Sequence, residues 1–567
     1  MPVLRLGVLW LAACLWSGLV QADDLLRARL APLDDEQAAV AGVTLASGPL
    51  LADLYRARDW RPAWDAARLA ALRRLLLASR GDGFHRGDFH FRVVDAILGG
   101  GGLEALPPEH RVEADILLSD SLVRYLHHHR FGKVDPVALD PRGTQFEPAS
   151  STALAQALVA ALAADDLEAY IAREIRWPGF YRDLRAGLEH YRAIAAAGGW
   201  PTVPEGPTLR LDAQDARVPA VRARLLATGD YSTEAPLPED PLVYDRVLRA
   251  AVEHFQARHG LAVDGVIGPQ TRAAMNVDVA QRIDQIRVNL ERMRWFAHDL
   301  PADFVLVNIP AYRVDLYRDG APRWSTRAIV GRPGRETPVF RDRLAYLEVN
   351  PTWTVPPTIL AEDILPNMRV DRGYLAERGL QVVDYRGNRI RPERVDWDQP
   401  AASFPYLLRQ PPSDDNALGR IKFMFPNQFA VYLHDTPQRA LFARPQRALS
   451  SGCVRVEDPL RLAELLLDDP QRWDRAAFEE IIASDRTRVV RLERPLAVLL
   501  AYWTAEADGD GQIAFRPDIY GRDAALLEAL DGGPARPRLA PPAEAPAAAA
   551  QTVDAARLDG RRPVGAG

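Results

Sequence analysis

Cysteine is nearly absent from this chain: Cys14 and Cys453 are the two among 567 residues. Cys14 sits in an N-terminal apolar stretch, so beyond it Cys453 stands alone and an intramolecular disulfide framework is excluded. Long hydrophobic runs are equally scarce. One extends from Leu6 to Val20 behind Arg5, short of the roughly 18 residues that argue for a spanning helix. With Val20-Gln21-Ala22 before Asp23-Asp24, it has the layout of a signal peptide over 1–22, which predicts an exported, soluble mature protein. An excess of one charge is missing too: the net charge is −6 and the pI is near 6.1. No basic face for nucleic acid is expected.

Leu11-Ala12-Ala13-Cys14 also resembles a lipobox, which leaves lipidation of Cys14 as an alternative route to the membrane. The length predicts several domains. Residues 23–205 are rich in Ala, Leu and Arg, with helical apolar spacing in stretches such as Val112 to His128, and predict a helical domain. Tyr55, Trp60 and Trp64 read there as packed aromatics. His127-His128-His129 cannot converge on a metal, because consecutive helical side chains point about 100° apart. They read as a partly solvated helix end.

Pro201 to Pro207 reads as a linker. In 206–277 a helix ends in Phe255-Gln256, followed by Gly260-Leu261, Asp264-Gly265 and Gly268-x2-Thr271. This order of elements resembles a small three-helix peptidoglycan-binding domain. A helical connector is expected over 278–300. Alternation then begins, in Phe304 to Ile309 and Tyr312 to Tyr317, and marks a β-rich domain over 301–505. The rhythm breaks over 357–415, read as an insertion that caps a cleft. Asp508-Gly509-Asp510-Gly511 lacks the twelfth-position Glu of a calcium loop and reads as a hairpin turn, with a short helix completing 506–533. The Pro/Ala-rich 534–567 reads as a disordered tail.

The chemistry concentrates in two places. Alternation through Phe429, Val431 and Leu433 delivers His434 at a strand end, and Ser450-Ser451-Gly452-Cys453-Val454-Arg455 follows after a loop. An imidazole beside a thiol can take its proton and create the nucleophile that acyl transfer needs. Gly452 permits a tight turn, and main-chain N–H groups around Gly452 and Cys453 are candidate oxyanion donors. Arg455 fits a role in fixing the loop or positioning a substrate carboxylate. Cys and His alone leave a structural pair as an equal reading.

The segment closely resembles the catalytic stretch of the L,D-transpeptidase family (YkuD-type domain), a histidine followed by S-x-G-C-V/I-R. Val330-Gly331 with Thr337-Pro338, and Asn350-Pro351-x-Trp353-x-Val355-Pro356-Pro357, are similar to two further elements of that domain. The resemblance extends to the large-scaffold subgroup, and implies a multidomain α+β architecture: helical scaffold, peptidoglycan-binding domain, and β-rich catalytic domain with a capping insertion. It implies Cys453 as nucleophile and His434 as base and acid in forming 3→3 cross-links between peptidoglycan stems, with reactivity toward carbapenems. Tyr432, Trp353 and Ser451 are the expected substrate-binding residues. Asp435 stands where many members have Gly. Its main-chain carbonyl is the expected imidazole partner, with its side chain in solvent, and Ser450 and Ser451 are alternatives. No cofactor or metal is expected. Water in place of the acceptor amine would make a carboxypeptidase or cross-link hydrolase, and a decayed, non-catalytic wall-binding scaffold is the remaining alternative.

Overall fold

The computed structural model describes residues 22–30, 38–235, 239–508 and 511–540. The signal-peptide reading with Cys14, the Gly509-Asp510 step of the hairpin and most of the Pro/Ala-rich tail lie outside the described residues. Architecture is multidomain α+β, in the order expected.

The N-terminal domain packs helices around α1 (Gly48–Ala57), α2 (Ala66–Ala78) and the long α3 (Pro108–Phe131), with α4 (Ser151–Ala163) and α5 (Gly179–Ala196) completing it. Pro108 opens α3 where its missing N–H costs nothing, and Gly132, at φ 89, ends it. Tyr55 donates to the Asp115 carboxylate, and Trp64 Nε1–H to Ser119 Oγ at 2.9 Å, so both rings are core anchors. His127, His128 and His129 contradict the expectation of a solvated end: they are 5%, 0% and 2% exposed. For His128 and His129 the reason lies outside the helix. Phe84 and Phe89 pack on the His128 and His129 rings, and Phe131 on His127.

The next domain has its own core, from Val203 to Met275, built on α6 (Val218–Ala227), α7 (Arg246–Arg258) and α8 (Pro269–Met275). The Gln256 side chain explains the motif. It donates to Asp264 Oδ1 at 2.9 Å and to the Val266 carbonyl at 3.0 Å, and accepts from the Asp264 and Gly265 N–H groups. One amide thus staples the Asp-Gly turn to the helix.

Connector helix α9 (Val279–Ala297) is a central strut, not a surface linker. From Ile286 to Ala297 every residue is buried, including Arg287, Glu291, Arg292 and Arg294. Charges survive there because each is paired: Arg294 with Glu291 at 2.7 Å and Arg292 with Asp523.

The β-rich domain is one sheet of β1 (Phe304–Asn308), β2 (Arg313–Arg318), β3 (Ala321–Gly331), β4 (Phe340–Val349), β5 (Ile421–Met424), β6 (Leu433–His434), β7 (Ala448–Ser450), β8 (Val454–Val456) and β9 (Arg488–Ala501). Its order is β7-β3-β8-β6-β5-β4-β9-β1-β2, and β2 also pairs with β3, so the sheet closes on itself. Leu347, Phe423, Leu433 and Val454 share one core with Leu462 and Phe478 of the two following helices.

The insertion has a separate core, including Met368, Val382, Trp397 and Phe404, and a four-stranded sheet of its own. That sheet starts earlier than expected. Trp353–Thr354 pairs with Arg409–Gln410, so Trp353 belongs to the cap and not to the barrel. At the C-terminus, Ala505–Ala507 and Ile513–Phe515 form an antiparallel hairpin. Leu539–Ala540 pairs in parallel with Ala149–Ser150, so a strand stands at the start of the segment expected to be disordered.

Candidate active site

Register builds the site. β5 and β6 pair Lys422 with His434, β6 and β8 pair His434 with Arg455, and β4 pairs Glu348 with Lys422. Since Phe423, Leu433 and Val454 enter the core, alternation puts Glu348, Lys422, His434 and Arg455 in a row on the opposite face. Tyr432 and Cys453 immediately precede β6 and β8, two residues before His434 and Arg455, and the Val454 N–H donates to the Tyr432 carbonyl at 3.1 Å, so the two form the next row. Cys453 and His434 are therefore diagonal neighbours on one face.

His434 is 4% exposed and its Nδ1 lies 2.5 Å from the Asp435 carbonyl oxygen. That acceptor requires the proton on Nδ1 and leaves Nε2 as the basic nitrogen. Burial, reinforced by the charges of Arg455 and Lys422, pulls the imidazole down to about 3, so it is neutral at any physiological pH. Burial pushes the Cys453 thiol up, opposed by hydrogen bonds from Tyr432 and by the charges of Lys422 and Arg455. The resting pair is neutral thiol and neutral imidazole. Tyr432 lies beside the thiol and favours its ionised form, and Trp353 in turn favours ionisation of the Tyr432 hydroxyl. Lys422 Nζ sits 4.2 Å from the centre of the Tyr432 ring and 3.9 Å from Glu348.

The turn before Cys453 is clamped from several sides. Ser450 Oγ donates to the Cys453 carbonyl at 2.6 Å and accepts from the Gly452 N–H at 3.2 Å. This corrects the expectation for Gly452: its N–H is spent inside the turn. The Cys453 N–H meets no acceptor among the described residues and is the free donor. Glycine is required at 452 by its φ of +115. Thr337 Oγ1 accepts from the Gly331 N–H and donates to the Gly452 carbonyl, both at 2.8 Å, which is the physical content of the Val-Gly…Thr-Pro pattern. Tyr520 donates to the Gly331 carbonyl at 2.6 Å and accepts from the Thr337 N–H.

Arg455 Nη1 donates to Gln438 in the loop between His434 and Cys453, while its Nε is buried without a partner among the described residues. Ser451 is exposed and accepts from Arg335, whose guanidinium also binds Glu362 and Asp363 of the cap. Asp435 departs from expectation in one respect. Its carbonyl orients His434, but its side chain is buried, accepting from the Arg420 N–H at 2.8 Å and from Arg439 at 2.8 Å. Gly419 makes the room, since a Cβ there would meet the carboxylate. Sequence reasoning missed Lys422, Arg335, Tyr520 and the role of Thr337. For Lys422 the signal existed: it shares the polar parity of its strand with no other charge.

The chain is similar to known families over three of its parts. Residues 302–490 match the L,D-transpeptidase catalytic domain, residues 49–188 a scaffold domain, and residues 214–275 the "Putative peptidoglycan binding domain". A Haemophilus influenzae protein named "Putative L,D-transpeptidase" is 40% identical over 242 residues, covering 42% of this chain and 48% of that protein. The chain thus matches about half the length of that relative. Among solved structures, an L,D-transpeptidase from Xylanimonas cellulosilytica is 16% identical, with 52% of this chain and 98% of that chain covered and a TM-score of 0.17. One from Stackebrandtia nassauensis is 13% identical, with 53% and 96% covered and a TM-score of 0.20; neither score carries a structural argument. The similarity to the L,D-transpeptidase catalytic domain is thus carried by residues 302–490, about a third of the chain.

Proposed function

We propose that this chain is an exported peptidoglycan L,D-transpeptidase that joins stem peptides by 3→3 cross-links through a thioester on Cys453. The observation that carries the reading is a lone thiol immediately before β8 beside an oriented, neutral imidazole on the paired strand β6. His434 Nε2 takes the thiol proton as Sγ attacks the carbonyl of the third stem residue. The N–H of Cys453 receives the developing oxyanion. The protonated imidazole then gives its proton to the departing D-alanine amine, leaving the thioester. In the second half, Nε2 takes a proton from the side-chain amine of a second stem, that nitrogen attacks the thioester, and the thiol is regenerated.

Because the resting pair is neutral, proton transfer accompanies attack, in contrast to a preformed thiolate–imidazolium pair. The positive charges of Lys422 and Arg455 stabilise the sulfur as it becomes anionic. The unpartnered Nε of Arg455 suits a stem carboxylate. Transfer is favoured over hydrolysis by the cap, which Arg335 ties to Ser451 at the mouth of the site. No step calls for a metal or cofactor. The test is incubation of the purified protein with disaccharide tetrapeptide. A cross-linked dimer short of one D-alanine supports transpeptidation, tripeptide alone means a carboxypeptidase, and no product means a non-catalytic scaffold.

A further inference from the structure

The segment from Glu336 to Val339, which backs the Gly452 turn, is held by parts of the chain that lie outside residues 302–490. From the scaffold, the Gly143 carbonyl accepts from the Val339 N–H at 2.7 Å and the Gln145 N–H donates to the Val339 carbonyl at 3.1 Å, so Thr144 and Val339 form a parallel bridge. Asp140 shapes that scaffold segment, its Oδ1 accepting from the Gly143 N–H at 2.9 Å. From the C-terminal segment, Tyr520 grips Gly331 and Thr337, and its own N–H donates to the Tyr502 hydroxyl at 2.7 Å.

Arg522 joins the two supports. Its Nη2 lies 2.8 Å from Asp140 Oδ2 and 2.5 Å from Glu336 Oε2, and the guanidinium sits 5.3 and 5.2 Å from the centres of the Tyr502 and Tyr520 rings. Its main-chain N–H is fixed to Asp518 at 2.9 Å, and the next residue, Asp523, pairs with Arg292 of α9 at 2.5 Å. One cation thus bridges a scaffold carboxylate and a carboxylate beside the nucleophile's turn. Because both carboxylates sit against the same nitrogen, removing the guanidinium leaves two like charges facing each other across the domain junction.

Glu336 is coupled closely to Gly452. It precedes Thr337, whose hydroxyl holds the Gly452 carbonyl, and the Glu336 carbonyl oxygen lies 3.4 Å from the place a Cβ on Gly452 would take. Packing this tight transmits a displacement instead of absorbing it.

We propose that the scaffold is part of the catalytic apparatus, with Arg522 as the positioning residue that carries its constraint through Glu336 and Thr337 to the Gly452–Cys453 peptide, and so to the Cys453 N–H. The proposal rests on the reading above in taking Cys453 as the acylated nucleophile and its N–H as the oxyanion donor. Partly exposed ion pairs contribute little to stability, so this one acts on rate more than on Tm.

The test is the rate of Cys453 acylation by a carbapenem across a range of concentrations, in the full chain and in Arg522→Met, Asp140→Asn and Arg522→Lys. Arg522→Met should lower the limiting rate roughly 10-fold or more, since a misplacement of about 1 Å costs ~100-fold, and leave the half-saturating concentration nearly unchanged. Asp140→Asn keeps an acceptor for Gly143 and loses the charge, and should lower the rate in the same sense. Arg522→Lys, which retains the cation, should recover most of it. Alkylation of Cys453 by iodoacetamide draws on no oxyanion donor and should stay near the parent rate in every variant. Parent limiting rates in both Arg522→Met and Asp140→Asn would overturn the proposal. So would a change confined to half-saturation, or a loss that Arg522→Lys does not recover and that comes with faster alkylation and a lowered Tm. An unmodified protein that the carbapenem does not acylate would instead overturn the function reading, and this proposal with it.

Discussion

Replacing Thr337 by Val keeps the shape of a fully buried side chain and deletes its hydroxyl. Two groups then lose their partner: the Gly331 N–H and the Gly452 carbonyl, each 2.8 Å from Oγ1. Stranding a buried main-chain group costs ~1–3 kcal/mol, so the pair amounts to about 2–6 kcal/mol. For a domain of this size that lowers Tm by roughly 4–24 °C. The function should suffer more than stability implies, because Gly452 precedes the nucleophile and a displacement of about 1 Å in a reacting group costs ~100-fold in rate. Thermal unfolding and the rate of Cys453 acylation by a carbapenem measure the two effects. Thr337→Ser, which retains the hydroxyl, should recover both. A Thr337→Val protein that melts with the parent and acylates at the parent rate would refute the clamp.

Alkylation of Cys453 by iodoacetamide should rise with pH around a midpoint above the ordinary thiol value, and Lys422→Met should move that midpoint further up, since Lys422 favours the thiolate; a midpoint near neutrality would mean a preformed ion pair. Removing Arg335 by Arg335→Ala frees the cap from Ser451, and the ratio of hydrolysis to cross-linking should increase in product analysis, while an unchanged ratio would deny the cap a role in excluding water. Acid should destabilise the scaffold. His127 titrates at about 4 and His128 well below its usual value, because both are buried. Depressed folded values mean that the unfolded chain binds protons the folded one refuses. Stability should therefore fall as pH drops from ~6.5 towards 4, by about 1.4 kcal/mol per unit for each histidine. A urea midpoint that is flat between pH 7 and 4.5 would contradict this.

What the sequence made legible was local. Alternation through Val431 and Leu433 places His434 on the face opposite the core, and the Phe255-Gln256…Asp264-Gly265 string is a turn whose staple is eight residues away. What it hid depends on distant packing. The burial of His128 and His129 is decided by Phe84 and Phe89, which return from another part of the domain. Asp435 is buried because Gly419, Arg420 and Arg439 surround it from both sides of the strand. Trp353 alternates like a barrel strand yet pairs with Gln410 at the far end of the insertion. Tyr520 reaches the Gly331 turn from the C-terminal segment, and no spacing rule connects them.

The most direct test is mass spectrometry of stem products from the purified protein and disaccharide tetrapeptide, run beside Cys453→Ala and His434→Gln. The predicted result is a dimer lacking one D-alanine together with a transient acyl adduct on Cys453, both absent from Cys453→Ala and strongly reduced in His434→Gln. Product formation by Cys453→Ala would contradict the assignment of the nucleophile and the chemistry built on it.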